Sequence, residues 1–130
     1  MKLFLSSEST VRDINKEFQK NFPYLKLEFY RRKHNIEESS YWEESLSGNT
    51  LLKEIKGNLL PGMITINPLD TVAELEQRFQ KNFGLPVQVY RKTRDVWLET
   101  VQTDDLTLES QNNIGASISR PRYNIHTLFL

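Results

Sequence analysis

Few side chains in this sequence belong to the usual agents of covalent or acid–base chemistry. Its 130 residues include two histidines, His34 and His126, and no cysteine. Without cysteine there are no thiolate nucleophiles, disulfides, thiolate zinc sites or iron–sulfur clusters. His34 sits in the charged run Arg31-Arg32-Lys33-His34 and His126 stands near the end of the chain, so general acid–base catalysis has few agents and both read as surface residues. The five glycines are scattered, and neither a Gly-x-Ser-x-Gly elbow, a Gly-x-Gly-x-x-Gly turn nor a Walker sequence occurs. Carboxylates pair at Glu37-Glu38, Glu43-Glu44 and Asp104-Asp105. Neighbours on a strand point to opposite faces, so Glu43 and Glu44 do not converge on one ligand. Asp104-Asp105 reads as a helix start, where acids cap free amides and complement the helix dipole. The expectation is no catalytic residue, no metal-ligand set and no cofactor, hence not an enzyme.

Aromatic residues beside cations offer a different chemistry, namely recognition. Tyr30-Arg31 and Tyr90-Arg91 occur in matching contexts, each followed by a tryptophan, Trp42 and Trp97. Stacking surfaces next to positive charge are the ingredients of single-stranded nucleic-acid binding. Against that stand Glu28, Glu44 and Glu99 in or beside the same strands, and 17 Lys plus Arg balanced by 17 Asp plus Glu, which leaves no cationic surplus for phosphate. The first half with Met63–Asn67 also has the βαββαβ order of an RNA-recognition fold, but lacks its glycine–aromatic strand motif. The expected function is therefore a non-enzymatic interaction module, with a protein partner or a second copy of the chain engaging Tyr30, Arg31, Trp42, Tyr90, Arg91 and Trp97. Arg94 and the segment Arg120-Pro121-Arg122-Tyr123 are candidate additions. Single-stranded nucleic acid is the alternative partner, and a small hydrolase or transferase comes last.

The elements that position these residues come in two copies. Thr10-Val11 followed by Phe18-Gln19-Lys20-Asn21-Phe22 recurs as Thr71-Val72 followed by Phe79-Gln80-Lys81-Asn82-Phe83, at a constant offset of 61 residues (71 − 10). Leu3 and Leu5 match Ile64 and Ile66 upstream; Tyr30-Arg31 match Tyr90-Arg91 downstream after a one-residue slip. Trp42, Glu44, Leu51 and Glu54 align with Trp97, Glu99, Leu106 and Glu109. Val11, Ile14, Phe18 and Phe22, like Val72, Leu75, Phe79 and Phe83, are spaced as one stripe of a helix. Thr71-Val72-Ala73-Glu74 is a capping box, Thr10-Val11-Arg12-Asp13 a version with a shorter acid, and Pro23 and Gly84 mark the stops. Lys26–Tyr30 and Pro86–Tyr90 alternate as strands, and Thr93-Arg94-Asp95 turns into a return strand at Val96–Thr100. In the first half the corresponding loop is longer, through His34–Ser40. Shorter helices are expected around Leu51–Lys56 and Leu106–Asn112.

Each half then reads β-α-β-β-α. The expected fold class is α+β: two tandem repeats sharing one core, about 1–57 and 62–115, with a C-terminal extension or strand over 116–130. The strand–helix–strand crossover predicts a parallel pair within a mixed sheet, with helices on one face. Residues 1–130 form a single domain in this reading, because about 60 residues bury too little surface to stand alone. Parity puts Leu27, Phe29, Val87 and Val89 toward the helices, which turns Tyr30 and Tyr90 to the reverse face. The stretch Phe79-Gln80-Lys81-Asn82-Phe83-Gly84, continuing into Val87-Gln88-Val89-Tyr90-Arg91-Lys92 and Val96-Trp97-Leu98-Glu99-Thr100, resembles a segment of a family of small uncharacterised bacterial proteins without a known activity. That resemblance implies a bacterial source and no catalytic residue; the first half departs from it at Pro23-Tyr24. Only a three-residue apolar run, Leu3-Phe4-Leu5, follows the first charged residue, and no stretch nears the roughly 20 apolar residues of a membrane span, so a cytoplasmic protein off the membrane is expected.

Overall fold

The computed structural model describes residues 1–33 and 42–119, the side chains of 32, 33 and 42–44 excepted. His34, the loop through Ser40, His126 and the Arg120–Tyr123 segment lie outside the described residues. Two threonines open the long helices, α1 (Val11–Asn21) and α3 (Val72–Phe83). Thr10 and Thr71 each accept the N–H three residues on through the side-chain oxygen, both at 3.1 Å. The acid at that position reaches back to the threonine N–H, at 3.1 Å for Glu74 but 3.5 Å for the shorter Asp13. At its far end α3 stops on Gly84, whose φ of 65° is the left-handed cap that glycine adopts without a Cβ penalty. Phe22 caps α1 one residue before Pro23.

Six strands accompany the helices: β1 (Lys2–Leu5), β2 (Leu25–Lys33), β3 (Trp42–Ser45), β4 (Gly62–Thr65), β5 (Val87–Thr93) and β6 (Val96–Glu99). A single turn of helix, α2 (Leu52–Ile55), follows β3, while a 3-10 turn at Val101–Thr103 and the helix α4 (Leu108–Ser119) follow β6. The protein is thus mixed α+β with two sheets and four helices among the described residues. No helix among them is long and apolar enough to cross a membrane.

The sheet connections overturn the parallel crossover and the mixed sheet. β1 pairs with β4 in a two-stranded ribbon, and the other strands form a sheet of order β3-β2-β5-β6; every pairing is antiparallel. The chain leaving α1 does not return beside β1, because β1 takes its partner from the other half of the chain and β2 lies between β3 and β5. Leu3 stands opposite Ile64, and Glu28 opposite Gln88. Alternation in a sequence specifies which face a residue takes but not which strand lies beside it.

Main-chain hydrogen bonds recur between the halves. Val11 N–H donates to the Thr50 carbonyl and Val72 N–H to that of Leu106; Leu52 N–H donates to Ser9 and Leu108 N–H to Asp70. These bonds match Leu52 with Leu108, one residue away from the alignment of Leu51 with Leu106. Helix α4 correspondingly starts later and runs further than the expected 106–112, so 116–119 are helix and not extension. Its first turn is capped by Thr107, which accepts the Ser110 N–H at 3.1 Å; Asp104-Asp105 precede the cap, and the Asp104 carbonyl binds Ala73 N–H instead. The hairpin shows a similar slip. Tyr30 faces Ser45 and Tyr90 faces Glu99, so Glu43, not Trp42, takes the register position that corresponds to Trp97.

The helical stripes Val11/Ile14/Phe18 and Val72/Leu75/Phe79 are buried, together with Leu27, Phe29 and Val89 of the large sheet and Leu3, Leu5, Ile64 and Ile66 around the ribbon, in one hydrophobic cluster. Phe29 meets Phe79 edge-on at 5.9 Å between ring centroids, a favoured aromatic geometry that joins β2 to α3. Helix α4 closes over the strand ends at Gly115, where an added Cβ would lie 2.8 Å from the Tyr24 Cβ and 3.2 Å from the Lys92 carbonyl. Gly115→Ala therefore sets a helix-propensity gain of about 1 kcal/mol against an overpacking cost of about 1–3 kcal/mol. Urea unfolding is expected to show a net loss of stability. Gly57→Ala is the control: its Cβ would meet only the Lys53 carbonyl, at 3.9 Å, and the change should stay within about 0.5 kcal/mol.

Candidate functional site

Even-numbered residues of β2 and β5 turn away from the core cluster, and α1, α3 and α4 all pack on the odd-numbered side through Leu27, Phe29, Val89 and Arg91. Antiparallel register then brings Lys26 opposite Tyr90, Tyr90 opposite Glu99, and Lys92 opposite Trp97. On this helix-free face the Tyr30 and Tyr90 hydroxyls meet at 2.6 Å, and Tyr90 donates to Glu99 Oε1 at 2.8 Å. Because Tyr90 spends its proton on the carboxylate, Tyr30 must be the donor to Tyr90, and the three groups form a directed relay.

Lys26 lies between the aromatic and acidic members. Its Nζ is 4.9 Å from the Trp97 ring centroid, 5.7 Å from that of Tyr90, and 2.7 Å from Glu28 Oε1. Cation–π attraction and the ion pair act on the same ammonium, whose side chain is only partly exposed, so both are screened less than on an open surface. Ser45 donates to the other oxygen of Glu28. Trp97 and Tyr90 are half-buried, Tyr30 is 6% exposed, and Glu99 is open to solvent. Beside Tyr30 a groove of about 350 Å³ runs between α3 and the start of β5, lined by Glu76, Gln80, Pro86 and Gln88.

Of the six sequence-derived site residues, Tyr30, Tyr90 and Trp97 come together here. Arg31 and Arg91 do not, since each follows its tyrosine by one position and so takes the opposite face. Arg31 is exposed and donates to the Glu54 carbonyl at 3.5 Å. Arg91 donates to Gln111 Oε1 of α4 at 2.8 Å, and its Nε is buried with no hydrogen-bond partner among the described residues. Trp42 stands in register with Lys33, and its side chain lies outside the described residues. Lys26, Glu28 and Glu99 are the members that residue-type reasoning passed over. The parity that singled out Tyr30 also carries Lys26 and Glu28, two and four positions earlier. No group of three or more His, Asp or Glu side chains converges as a cation site among the described residues.

Comparison with protein-family models, with curated proteins and with solved structures finds no match to this chain. The chemistry of the face therefore rests on its own geometry. Burial, foremost, and donation to Tyr90 push the Tyr30 hydroxyl well above its ordinary value of 10.0, and burial also raises Tyr90. Above pH 10 the unfolded chain releases tyrosine protons that the folded state retains, so stability present below about pH 10 is lost as pH rises. The loss approaches about 1.4 kcal/mol per pH unit for each retained proton. Tyr30→Phe removes one such group. Urea midpoints collected between pH 9 and 11 should fall less steeply for that variant than for the wild type; equal slopes would contradict the relay.

Proposed function

We propose that the protein is a non-enzymatic interaction module that binds a protein partner through the helix-free face of its four-stranded sheet. The observation that carries this reading is the cluster in which Lys26, Glu28, Tyr30, Tyr90, Trp97 and Glu99 hold one another. Aromatic side chains fixed before contact lose little conformational freedom on binding, and Tyr and Trp are the residue types that dominate interface energetics. Glu99 and Ser45, both exposed, supply a polar rim. Association would bury the remaining surface of Tyr90 and Trp97, with no bond made or broken.

In the same reading the chain is a bacterial, cytoplasmic protein made of two tandem β-α-β-β-α repeats around one core. Paired main-chain hydrogen bonds in the two halves, and the meeting of Leu3 with Ile64 and of Glu28 with Gln88, support the duplication. Single-stranded nucleic acid gains no specific support. The guanidinium groups of Arg31 and Arg91 lie across the sheet from the stacking rings, and the ammonium beside those rings is already paired with Glu28.

Tyr90→Ala combined with Trp97→Ala tests the assignment. Loss of two central aromatics costs 2 kcal/mol or more at a hot spot, roughly thirtyfold in affinity. Affinity capture with the wild type, against the folded double variant, is expected to show partners that the variant loses. Recovery of the same partners by both would remove the face from consideration.

A further inference from the structure

We propose that β6 is a pairing edge for a second copy of this chain, the two β6 strands running antiparallel about a twofold axis at Leu98. The fold treats its strand edges unequally. Where β2 extends past β3, Asn15 binds both the N–H and the carbonyl of Leu27 at 2.8 Å, and Gln19 takes the Leu25 carbonyl at 3.1 Å. Where β5 extends past β6, Glu76 accepts the Val89 N–H at 2.8 Å and Thr100 donates to the Val89 carbonyl. Helix and loop side chains thus close both inner edges. The outer edge at β3 carries two consecutive glutamates, Glu43 and Glu44, and charge on an edge strand deters pairing.

β6 carries a single charge, at its end in Glu99, and no side chain closes its outer edge among the described residues. Thr100 N–H points back to Val89, so by antiparallel alternation Leu98 and Val96 also bond toward β5, while the N–H and carbonyl groups of Trp97 and Glu99 point outward. No hydrogen bond reaches those four groups among the described residues. Val96, Leu98 and Val101 flank them at 56%, 45% and 52% exposure. Such an edge is completed by an extended strand, and every copy of the chain carries one.

Charge selects the register. With Leu98 facing Leu98 of the second copy, Trp97 faces Glu99 and Val96 faces Thr100, and four main-chain hydrogen bonds close the pair. A slip to a Trp97-centred pairing sets Asp95 against Glu99, like charges directly opposite. The Leu98 pair is the non-hydrogen-bonded kind, with Cα atoms about 4.5 Å apart, within the span that a disulfide bridges. The pairing sets Glu99 of the second copy beside Trp97 and so adjoins the Tyr90 and Trp97 surface, but Leu98→Lys changes the edge without altering either ring, so the dimer and that surface can fail separately.

The absence of cysteine makes the test direct. Leu98→Cys and Val96→Cys, both at exposed positions, are oxidised under identical mild conditions after circular dichroism has confirmed the fold. Leu98→Cys is expected to form covalent dimer about tenfold faster, since the Val96 positions of two paired copies lie about 13 Å apart. Sedimentation equilibrium of the unmodified protein should show a monomer–dimer equilibrium over a hundredfold concentration range, on the order of the weak-interface class, and Leu98→Lys should remain monomeric. Equal cross-linking at the two positions, or a wild type that is monomeric throughout, would overturn the proposal.

Discussion

The antiparallel pairing of β2 with β5 is the constraint on which the remaining architecture depends. It sets Glu28 against Gln88 and Leu27 against Val89, so each half of the chain supplies the hydrogen-bond partner that the other half's central strand lacks. Sheet geometry then leaves no freedom in the faces. Leu27, Phe29 and Val89 enter the core with the phenylalanine stripes of α1 and α3, and Lys26, Glu28, Tyr30 and Tyr90 are carried to the reverse side. A slip of one residue in this pairing would exchange the two sets.

Because the two hairpins diverge from that central pair, parts of β2 and β5 are left without a strand neighbour. Side-chain amides and carboxylates substitute for the missing ladder: Asn15 and Gln19 from α1, Glu76 from α3. A buried main-chain group without a partner costs about 1–3 kcal/mol, so these polar residues on otherwise amphipathic helices are structural in effect. Gln111, fully buried in α4, works similarly, taking the carbonyl and hydroxyl of Thr103 while its own oxygen accepts from Arg91. Arg91 is thereby held on the helix side of the sheet, away from the aromatic cluster.

The helix-free face and the β6 edge are different kinds of surface. On the face, polar and aromatic groups already satisfy one another, and the rings are held within a hydrogen-bonded frame. At the edge, the outward main-chain groups of Trp97 and Glu99 have no partner among the described residues, and Val96, Leu98 and Val101 are exposed and apolar. The edge belongs to the second half of the chain, whose hairpin carries Trp97 and Leu98 where the first half carries Glu43 and Glu44, whereas the face draws Lys26, Glu28 and Tyr30 from the first half and Tyr90, Trp97 and Glu99 from the second.

Local physics was legible in the sequence. The threonine caps, the phenylalanine stripes, the Gly84 stop and the Arg94-Asp95 turn follow from interactions within a few residues. The same parity rule contained the separation of Tyr30 from Arg31, because adjacent strand residues must part. What the sequence could not supply was strand partnership. An alternating segment hydrogen-bonds equally well to any strand of matching pattern, so neither the β1–β4 ribbon nor the β2–β5 pair is written in either segment alone. The meeting of Lys26 with Trp97, 71 positions apart, and the closing of the inner edges of β2 and β5 by helix and loop side chains, arise only when long-range pairing and helix packing are satisfied together.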